Sequence, residues 1–554
     1  MKNKLAPFLI VFLLVSMFLS TLEFAVVDAA ENSWTPKESM STARGGLGVA
    51  VVNGKIYAIG GSNEDTQLGV TEEYNPVTDS WTTKTSMPTP RSGFAIVVYQ
   101  NKIYCIGGTT GDNENFVSGL TGVNEVYDPA TDRWETKTPM TTPRADLCAN
   151  VVNGSIYCMG GKKYWSFDSY YSEVNVTEVY NPIEDSWTTK SSMPFPVFGC
   201  SSAVLDGKIY VIGGSRHLTL GADLDTTASN QVYDPENDTW ITKAHLPLEE
   251  SYGAAAATTG VTAPKRIYYL GGSNETTYNP VPYAYNPVLE DWSACASIST
   301  PRIYLGLAVV DDVLYAIGGF DGENWLNITE QYTPLGYGTV PPSLQVLSPA
   351  NATYTSNDIQ LVISVNRPTT WIGYSLDYQA NVTVTGDVEL SDMSEGEHDL
   401  TVYANDTFGN VVSSDSVYFS VDTFAPQITV LSPENKTYGG TDVQAVFTVN
   451  EPVTWMGYSL DGKDNVTVPG NVTLAGLSEG FHNITFYATD VVGHNGTSRT
   501  VYFEISPFPI VLVVAVAATI TITAATAYLL LKRRKTVTNK TKKDSNIKNN
   551  NTKT

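Results

Sequence analysis

Histidine and cysteine are scarce in this chain, which has five of each among 554 residues. The cysteines are Cys105, Cys148, Cys158, Cys200 and Cys295. No spacing among them resembles a zinc site, and their odd number leaves at least one without an intramolecular partner. No Ser-His-Asp set, phosphate-binding loop or metal-ligand cluster is recognisable either. We therefore predict no catalytic residue, no metal and no cofactor.

Charged residues are also few, at 16% of the chain against about 25% in typical soluble domains. The formal net charge is -24, and because residues 532–554 carry +8, residues 31–531 carry -32. So acidic a segment repels polyanions, which excludes nucleic acid as an expected partner. Attraction of cationic partners and solubility in a salty medium both remain open.

The two ends of the chain carry its longest apolar runs. Residues 1–30 have a basic start, an apolar run and small residues at the end, the layout of a secretory signal peptide. Residues 510–531 contain no charge, enough helix to cross a bilayer core of about 30 Å, and we place a transmembrane helix at 508–531. The basic tail 532–554 follows it, and positive residues stay in the cytoplasm. The sequence predicts a single-pass type I membrane protein with a large extracellular part.

A hairpin pattern recurs six times between residues 53 and 319. Its first copy, "NGKIYAIGG" at 53–61, joins an Asn-Gly turn to a strand that ends in two glycines. The other copies are "NKIYCIGG" (101–108), "NGSIYCMGG" (153–161), "DGKIYVIGG" (206–214), "RIYYLGG" (266–272) and "DVLYAIGG" (312–319). A second signature, such as "YNPVTDSW" at 74–81, follows the first five copies. Each unit is therefore predicted to hold four strands.

Continuous apolar strands such as "LGVAVV" must be covered on both faces. Four-stranded sheets stacked in a ring, a β-propeller, provide that cover. The Gly-Gly and Tyr-Asp-Pro-Trp signatures resemble the kelch repeat, and the resemblance implies an all-β fold with a six-bladed propeller over 31–338. The sixth unit lacks its Trp, whereas "NSWTPKESM" at 32–40 resembles "DSWTTKTSM" at 79–87. We expect the segment around Trp34 to supply the last strand and close the ring.

A second repeat with a constant offset of 84 begins near residue 341. "VLSPANATY" (346–354) matches "VLSPENKTY" (430–438), and "TTWIGYSLD" (369–377) matches "VTWMGYSLD" (453–461). The short alternating strands of each copy predict two immunoglobulin-like β-sandwiches, at 341–423 and 424–506. They resemble the Ig-like spacers of archaeal and bacterial surface proteins, which implies a stalk.

Asn-x-Ser/Thr sequons are frequent before the predicted membrane helix. They fit a glycosylated exterior, although a sequence rich in Asn and Thr also produces sequons by chance. The candidate acceptors are Asn175, Asn237, Asn274, Asn327, Asn351, Asn381, Asn405, Asn435, Asn465, Asn471, Asn483 and Asn495.

The resemblance to kelch propellers implies that ligands bind where two sets of loops meet. These are the loop before the first strand of each unit, called here the leading loop, and the loop after Gly-Gly. Four leading loops carry an arginine at one equivalent position, which could bind an anion or pair with acids inside the scaffold. Units four and five are aligned with Val197 and Ser251 at that position. The four arginines are Arg44, Arg91, Arg144 and Arg302.

The loops after Gly-Gly vary most between units, and three of them hold residues suited to binding a sugar or a protein. The aromatic residues could equally cover the undersides of their own loops. The binding candidates are Tyr164, Trp165, Tyr170 and Tyr171 in unit three, Arg216 in unit four, and Phe320 and Trp325 in unit six.

The sequence thus favours a membrane-anchored surface protein that presents the propeller to an extracellular protein or glycan. An extracellular carbohydrate-active enzyme is the alternative, like galactose oxidase or like the kelch-type sialic acid mutarotases. A copper site like that of galactose oxidase needs two His and a Tyr near the axis, and the propeller holds only His217 and His245, both in unit four. A structural component of an envelope lattice is the third hypothesis.

Overall fold

The computed structural model describes residues 30–64, 66–111, 119–164, 171–217, 224–274, 277–506 and 518–533. The regular secondary structure of these residues consists of β-strands and of one helix at 518–533. They divide into two compact units. The first unit contains the described residues up to Gln345 together with Ser364–Gly373 and Val402–Ser414, and the second contains the remainder.

Six four-stranded antiparallel sheets are the blades of a propeller in the described part of the first unit. Blades one to three, from the axis outward, comprise Gly48–Val52, Lys55–Ile59, Thr71–Asn75 and Ser80–Lys84; Ala95–Tyr99, Lys102–Ile106, Asn124–Asp128 and Arg133–Lys137; and Cys148–Val152, Ser155–Met159, Thr177–Asn181 and Ser186–Lys190. Blades four to six comprise Ser201–Leu205, Lys208–Ile212, Asn230–Asp234 and Thr239–Thr242; Ala254–Ala257, Ile267–Leu270, Tyr283–Asn286 and Asp291–Ala294; and Gly306–Val310, Val313–Ile317, Thr329–Thr333 and Ser33–Lys37. The innermost strands contact their neighbours around the whole ring, since that of blade six also contacts that of blade one.

The turns within the blades follow from local backbone chemistry. Asn53 and Gly54 have φ of 50° and 71°, as a two-residue hairpin turn of type I′ requires. The strand that follows ends at Gly60 and Gly61, with φ of 61° and 96°. A Cβ on Gly60 would lie 2.8 Å from the carbonyl oxygen of Arg91 in the next blade. Glycine is therefore needed at this position both for the backbone angle and for the approach of the next blade.

The hydrophobic core lies between adjacent blades. Ile56 and Ala58 on the second strand of blade one are buried with Ile317 of blade six. On the other side of the same strand, Tyr57 and Ile59 are buried with residues of blade two. Both faces of the strand are therefore covered, which explains why its apolar run is continuous.

The repeated Tyr and Trp join each blade to the blade before it. The Trp81 indole N–H donates to the carbonyl oxygen of Glu38, at 2.8 Å. Asp79 Oδ1 accepts from the Glu38 N–H at 2.9 Å and from the Tyr74 hydroxyl at 2.6 Å. The Tyr74 and Trp81 ring centroids are 5.0 Å apart. Equivalent indole bonds are made by Trp34, Trp134, Trp187, Trp240 and Trp292.

The N-terminal segment completes the sixth blade. Ser33–Lys37 pairs antiparallel with Thr329–Thr333, so that Trp34 lies opposite Tyr332. The Trp34 indole donates to the carbonyl oxygen of Ala296 at 2.9 Å, and Asn32 Oδ1 accepts from the Ala296 N–H at 2.8 Å. The closure predicted from "NSWTPKESM" is confirmed by this pairing.

The 84-residue repeat forms two modules with the same order of strands. The second has a sheet of Ile428–Ser432, Val443–Val449 and Val472–Leu474, and another of Thr437–Tyr438, Val501–Ile505, Gly480–Asp490, Val453–Leu460 and Val466–Thr467, with Asn495–Thr497 also paired to Gly480–Asp490. The two sheets share one core, in which Phe447 of the first lies 4.5 Å from Phe486 of the second between ring centroids. The corresponding strands of the first module are Leu344–Ser348, Ile359–Val365, Val388–Leu390, Thr353–Tyr354, Val417–Val421, Gly396–Asp406, Thr369–Leu376, Val382–Val384 and Val411–Ser413.

The helix at 518–533 overlaps the expected transmembrane segment 508–531. Within the ranges that the structure describes, no helix has both the length and the apolar character needed to cross a membrane. The expected signal peptide up to residue 29, the first part of the expected membrane segment, 508–517, and the basic tail from residue 534 lie outside the described residues.

We expect Trp34→Ala to lower the free energy of unfolding by roughly 2–4 kcal/mol, because it removes an aromatic contact and the indole bond that closes the ring. Urea denaturation followed by circular dichroism measures this change. Val77→Ala is the control, since Val77 is 93% exposed. An unchanged stability for the Trp34 variant would show that the N-terminal strand does not hold the ring closed.

Candidate functional site

The leading loops and the loops after Gly-Gly lie on one face of the propeller. Short bridges join them in every blade, as between Gly45 and Ser62 in blade one and between Ile303 and Phe320 in blade six. In blades three and four the loops after Gly-Gly extend into small hairpins, Lys162–Tyr164 with Tyr171–Glu173 and Ser215–His217 with Leu224–Thr226. This loop face is the candidate binding surface.

Six peptide groups form a closed ring of hydrogen bonds around the axis at the loop face. In each leading loop one residue donates its N–H to the carbonyl oxygen of the equivalent residue in the preceding blade, over 2.7–3.0 Å. All six residues have φ between 54° and 61°, a conformation that favours glycine. A Cβ at Gly93 would lie 2.4 Å from Asp146 Oδ1. The ring consists of Gly46, Gly93, Asp146, Gly199, Tyr252 and Tyr304.

The non-glycine members of the ring bring charged and aromatic groups together. Asp146 Oδ2 lies 2.7 Å from the ammonium group of Lys162. That ammonium group lies 5.3 Å from the centre of the Phe198 ring, and Phe198 contacts Tyr252 edge-on. The Tyr252 and Tyr304 ring centroids are 4.6 Å apart. A continuous series of contacts thus crosses blades three to six.

Two of the predicted aromatic residues extend this series. Phe320 and Trp325 have ring centroids 5.0 Å apart. Trp325 lies beside Gly45, where an added Cβ would be 2.7 Å from the indole and 3.1 Å from Tyr304 Cβ. The partly exposed members, which we call the axial arc, are Asp146, Tyr252, Tyr304, Phe320 and Trp325.

Of the two roles left open for the four arginines, ligand binding and pairing with acids inside the scaffold, the structure shows the second. Their side chains are fully buried, and each forms an ion pair with a glutamate of the same blade. Arg44 Nη1 lies 2.7 Å from Glu72 Oε2, and its Nη2 donates to the carbonyl oxygen of Ala58 at 3.0 Å. Burial lowers the pKa of Arg44, and the charge of Glu72 opposes that shift. A buried guanidinium needs a paired carboxylate. These four arginines are therefore scaffold residues and not ligand-binding residues at the mouth of the propeller. The pairs are Arg44–Glu72, Arg91–Glu125, Arg144–Glu178 and Arg302–Glu330.

Blades four and five replace this ion pair. Blade four has Val197 with Gln231, whose amide bonds to Phe195 through its Oε1 at 2.9 Å and its Nε2 at 3.3 Å. In blade five the equivalent residue is Glu250, because its carbonyl oxygen accepts from Gly214 as that of Val197 does from Gly161. The alignment with Ser251 was wrong by one residue.

Glu250 is a buried acid without a basic partner among the described residues. Its side chain lies beside Tyr269, and a Cβ at Gly272 would be 2.8 Å from Glu250 Oε2 and 2.9 Å from the Tyr269 hydroxyl. Desolvation raises the pKa of Glu250 to about 7, while the nearby Asn279 opposes the shift. Burial and the Glu250 charge raise the pKa of Tyr269. The blade therefore contains an acid that is still partly protonated at neutral pH.

The remaining predicted residues come from the loops after Gly-Gly of units three and four. Tyr164 and Tyr171 lie opposite each other in the hairpin of blade three. Trp165 and Tyr170 lie outside the described residues. The Arg216 guanidinium in blade four is 5.4 Å from the centre of the Phe195 ring. Sequence reasoning missed Asp146, Tyr252 and Tyr304, although each occupies the second position after an arginine or its equivalent.

Beneath the ring, the innermost strands line a central channel of about 390 Å³. Most of the residues that line it have apolar side chains, and Cys148, Cys200 and Asn150 also line it. The five cysteines are free thiols. Burial raises the pKa of Cys105 and Cys158 to about 12, so these two thiols stay protonated and unreactive, as their apolar strands predict.

We expect Arg91→Val to destabilise the propeller by about 3–5 kcal/mol, because Glu125 is left as a buried carboxylate without its guanidinium. The double variant Arg91→Val/Glu125→Gln copies Val197 and Gln231 of blade four and should recover most of that loss. Urea denaturation of the two variants measures the difference. Equal destabilisation of the single and double variants would contradict a role of the buried charge.

We expect Glu250→Gln to stabilise the protein at pH 8 and to leave it unchanged at pH 4. An exposed glutamate has a pKa of 4.5, whereas that of Glu250 in the folded protein is about 7. Stability is therefore lost as the pH rises from 4.5 to about 7, where the unfolded chain releases a proton that the folded chain keeps. Thermal unfolding at both pH values tests this, with the exposed neighbour in Glu249→Gln as control. The same pH dependence in wild type and Glu250→Gln would contradict the assignment.

Comparison with known proteins supports the repeat pattern. The family model described as "KLHDC2/KLHL20/DRC7 Kelch-repeats domain" matches residues 93–319, and the "Kelch motif" model matches residues 43–88. A solved structure entitled "Structure of YjhT" aligns with 53% of this chain and 96% of that one, at 16% identity and a TM-score of 0.43.

Three curated proteins illustrate the similarity, and two of them are named as kelch-like. The Kelch-like protein terF of Aspergillus terreus is 27% identical over 41% of this chain and 52% of its own length. Kelch-like protein 26 of Danio rerio is 31% identical over 42% of this chain and 36% of its length, and Beta-scruin of Limulus polyphemus is 27% identical over 38% and 23%. The alignments thus span about half or less of these relatives. The two family models and these similarities show that residues 43–88 and 93–319 contain kelch repeats.

Proposed function

We propose that the propeller binds a protein partner through its loop face and that the axial arc makes the central contact. Kelch repeats generally mediate protein–protein interactions. The observation that carries the proposal is the row of partly exposed aromatic rings, Tyr252, Tyr304, Phe320 and Trp325, at the mouth of a ring of bonded peptides. Aromatic side chains at the centre of an interface supply most of its binding energy.

The backbone beneath these aromatic side chains is held in place by hydrogen bonds, which favours tight binding. The six leading loops are joined to one another by hydrogen bonds between their peptide groups at the axis, and four of these loops are held to their own blades by a buried Arg–Glu ion pair. A surface that is already ordered loses little conformational entropy when a partner binds. The charge of -32 on residues 31–531 favours a partner with a basic surface.

The proposal extends to the location of the protein. We infer an extracellular propeller on a stalk of two Ig-like modules, anchored by a transmembrane segment at 508–531. The signal-peptide pattern at 1–30, the uncharged run 510–531 and the two repeated β-modules support this arrangement. Eight of the predicted glycosylation sites are exposed, namely Asn237, Asn274, Asn351, Asn381, Asn435, Asn465, Asn471 and Asn495. Asn175 and Asn327 instead donate their side-chain amides to the carbonyl oxygens of Met193 and Met40.

Site-specific photocrosslinking tests the binding face. A photoreactive phenylalanine derivative replaces Tyr304 or Trp325 in the full-length protein, expressed in its source cells. We expect each position to give the same protein adduct, identified by mass spectrometry. Tyr252→Ala should reduce the yield at least five-fold, because the contact with Tyr304 is lost.

Control positions lie at the opposite ends of the strands, in the Tyr-x-Pro turns. Ile183 is 80% exposed and Val288 is 86% exposed, so the photoreactive residue is accessible there as well. Equal yields from these turns and from the axial arc would refute the assigned face. A glycan array with the same protein separates sugar recognition from protein recognition, and strong glycan binding without any protein adduct would overturn the proposed class of partner.

A further inference from the structure

One corner of the second module brings acidic residues and a histidine together. Asp490 ends the strand Gly480–Asp490, and its Oδ1 accepts the backbone N–H groups of Val492, Gly493 and His494 at 2.7–2.9 Å. Its Oδ2 lies 3.1 Å from Nδ1 of His494. Asp422, which follows the strand Val417–Val421, contributes a third ligand atom, and all three atoms lie within 4.8 Å of one another.

The first module provides an internal comparison for this corner. With the offset of 84, Asp490 corresponds to Asp406 and His494 corresponds to Asn410. Asp406 makes the same turn, because its Oδ1 accepts the N–H groups of Phe408 at 2.9 Å and Asn410 at 2.8 Å. The two corners therefore share the same backbone and the same central carboxylate, and they differ in the groups around it.

The side chain of Arg367 occupies the corner of the first module. The Arg367 guanidinium is bonded to Asp406 Oδ2 and to the carbonyl oxygen of Val340. The Asp406 side chain has no exposed surface and that of Arg367 is only 6% exposed. Asn410 adds a bond from its amide to the carbonyl oxygen of Gly338 at 2.6 Å. A protein-borne positive charge thus neutralises the buried carboxylate and ties the incoming chain to the corner.

The second module has lost that positive charge and gained negative ones. Glu451 replaces Arg367, Asp422 replaces Gly338 and His494 replaces Asn410. The Asp490 side chain is as fully buried as that of Asp406. In the described part of the chain, no Lys or Arg forms a salt bridge with Asp422, Glu451 or Asp490. Glu451 lies close enough to Asp422, Asp490 and His494 to interact with them electrostatically.

We propose that Asp422, Asp490 and His494, with Glu451 beside them, bind a divalent transition-metal cation that takes the place of the guanidinium of the first module. The ion neutralises the buried carboxylate and joins the segment at Asp422 to the turn at Asp490, as Arg367 joins Val340 to Asp406.

The ligand atoms indicate the class of metal. One imidazole nitrogen and carboxylate oxygens suit Zn²⁺ and its neighbours in the first transition series, whereas Ca²⁺ takes oxygen ligands. The 3.1 Å between His494 Nδ1 and Asp490 Oδ2 is the spacing of two ligands on one ion with bonds of about 2.0–2.1 Å. The sequence did not reveal this site because its ligands come from distant segments of the chain.

Isothermal titration of the full-length protein with ZnCl₂, after removal of metals by a chelator, tests the proposal. The informative variant is Glu451→Arg/His494→Asn, which gives the second module the residues that the first module carries at both positions. We expect wild type to bind Zn²⁺ and to gain thermal stability on binding. The variant should bind at least ten-fold more weakly at this site and unfold at the same temperature with or without Zn²⁺.

Asp464→Asn is the matched control, since it removes an exposed acid from the same module and should leave zinc binding unchanged. Zinc held by the cysteine thiols is common to all variants and cancels in the comparison. Absence of zinc binding in wild type would overturn the proposal, and so would equal affinity in the double variant. If Ca²⁺ binds more tightly than Zn²⁺ and His494→Asn has no effect, the proposed ligand set is wrong. His494→Asn alone keeps the test valid should the double variant not fold.

Discussion

Each blade is held to its predecessor by an indole N–H that donates to a backbone carbonyl oxygen, and the ring depends on this bond at every junction. A propeller leaves an edge open unless the last junction forms as well. Here the last junction uses residues from opposite ends of the domain, since Asn32 and Trp34 bond to Ala296. The two ends of the propeller domain are thereby joined, and no blade can separate without breaking its interfaces with two neighbours.

The candidate binding surface follows from this closure. Because the blades are locked side by side, their leading loops meet at the axis and share peptide hydrogen bonds there. The arginines behind the ring pair with buried glutamates and therefore cannot contact a ligand. The side chains available for recognition are those on the ring itself and on the adjacent loops. Among them, Tyr252 and Tyr304 are aromatic at a position where blades one to three have Gly46, Gly93 and Asp146.

The informative positions are those where one repeat departs from the others. Most copies bury an Arg–Glu pair, so the single Glu250 in blade five marks a buried group with a different protonation state. The same logic applies to the two modules, in which Arg367 and Glu451 stand at equivalent positions with opposite charges. A repeat protein thus supplies its own reference, because the backbone is constant and only the side chains change.

The blade period, the hairpin turns, the closing strand and the 84-residue module could all be predicted from the sequence, because positive-φ turns, strand length and alternation are set by residues near one another in the chain. It also indicated Phe320 and Trp325 as members of the loop face. That the arginines point inward, and that Asp146, Tyr252 and Tyr304 share one mouth, follows from the tertiary structure alone. These outcomes depend on which side chains are brought together when distant segments meet, and burial then selects the pairs that neutralise charge.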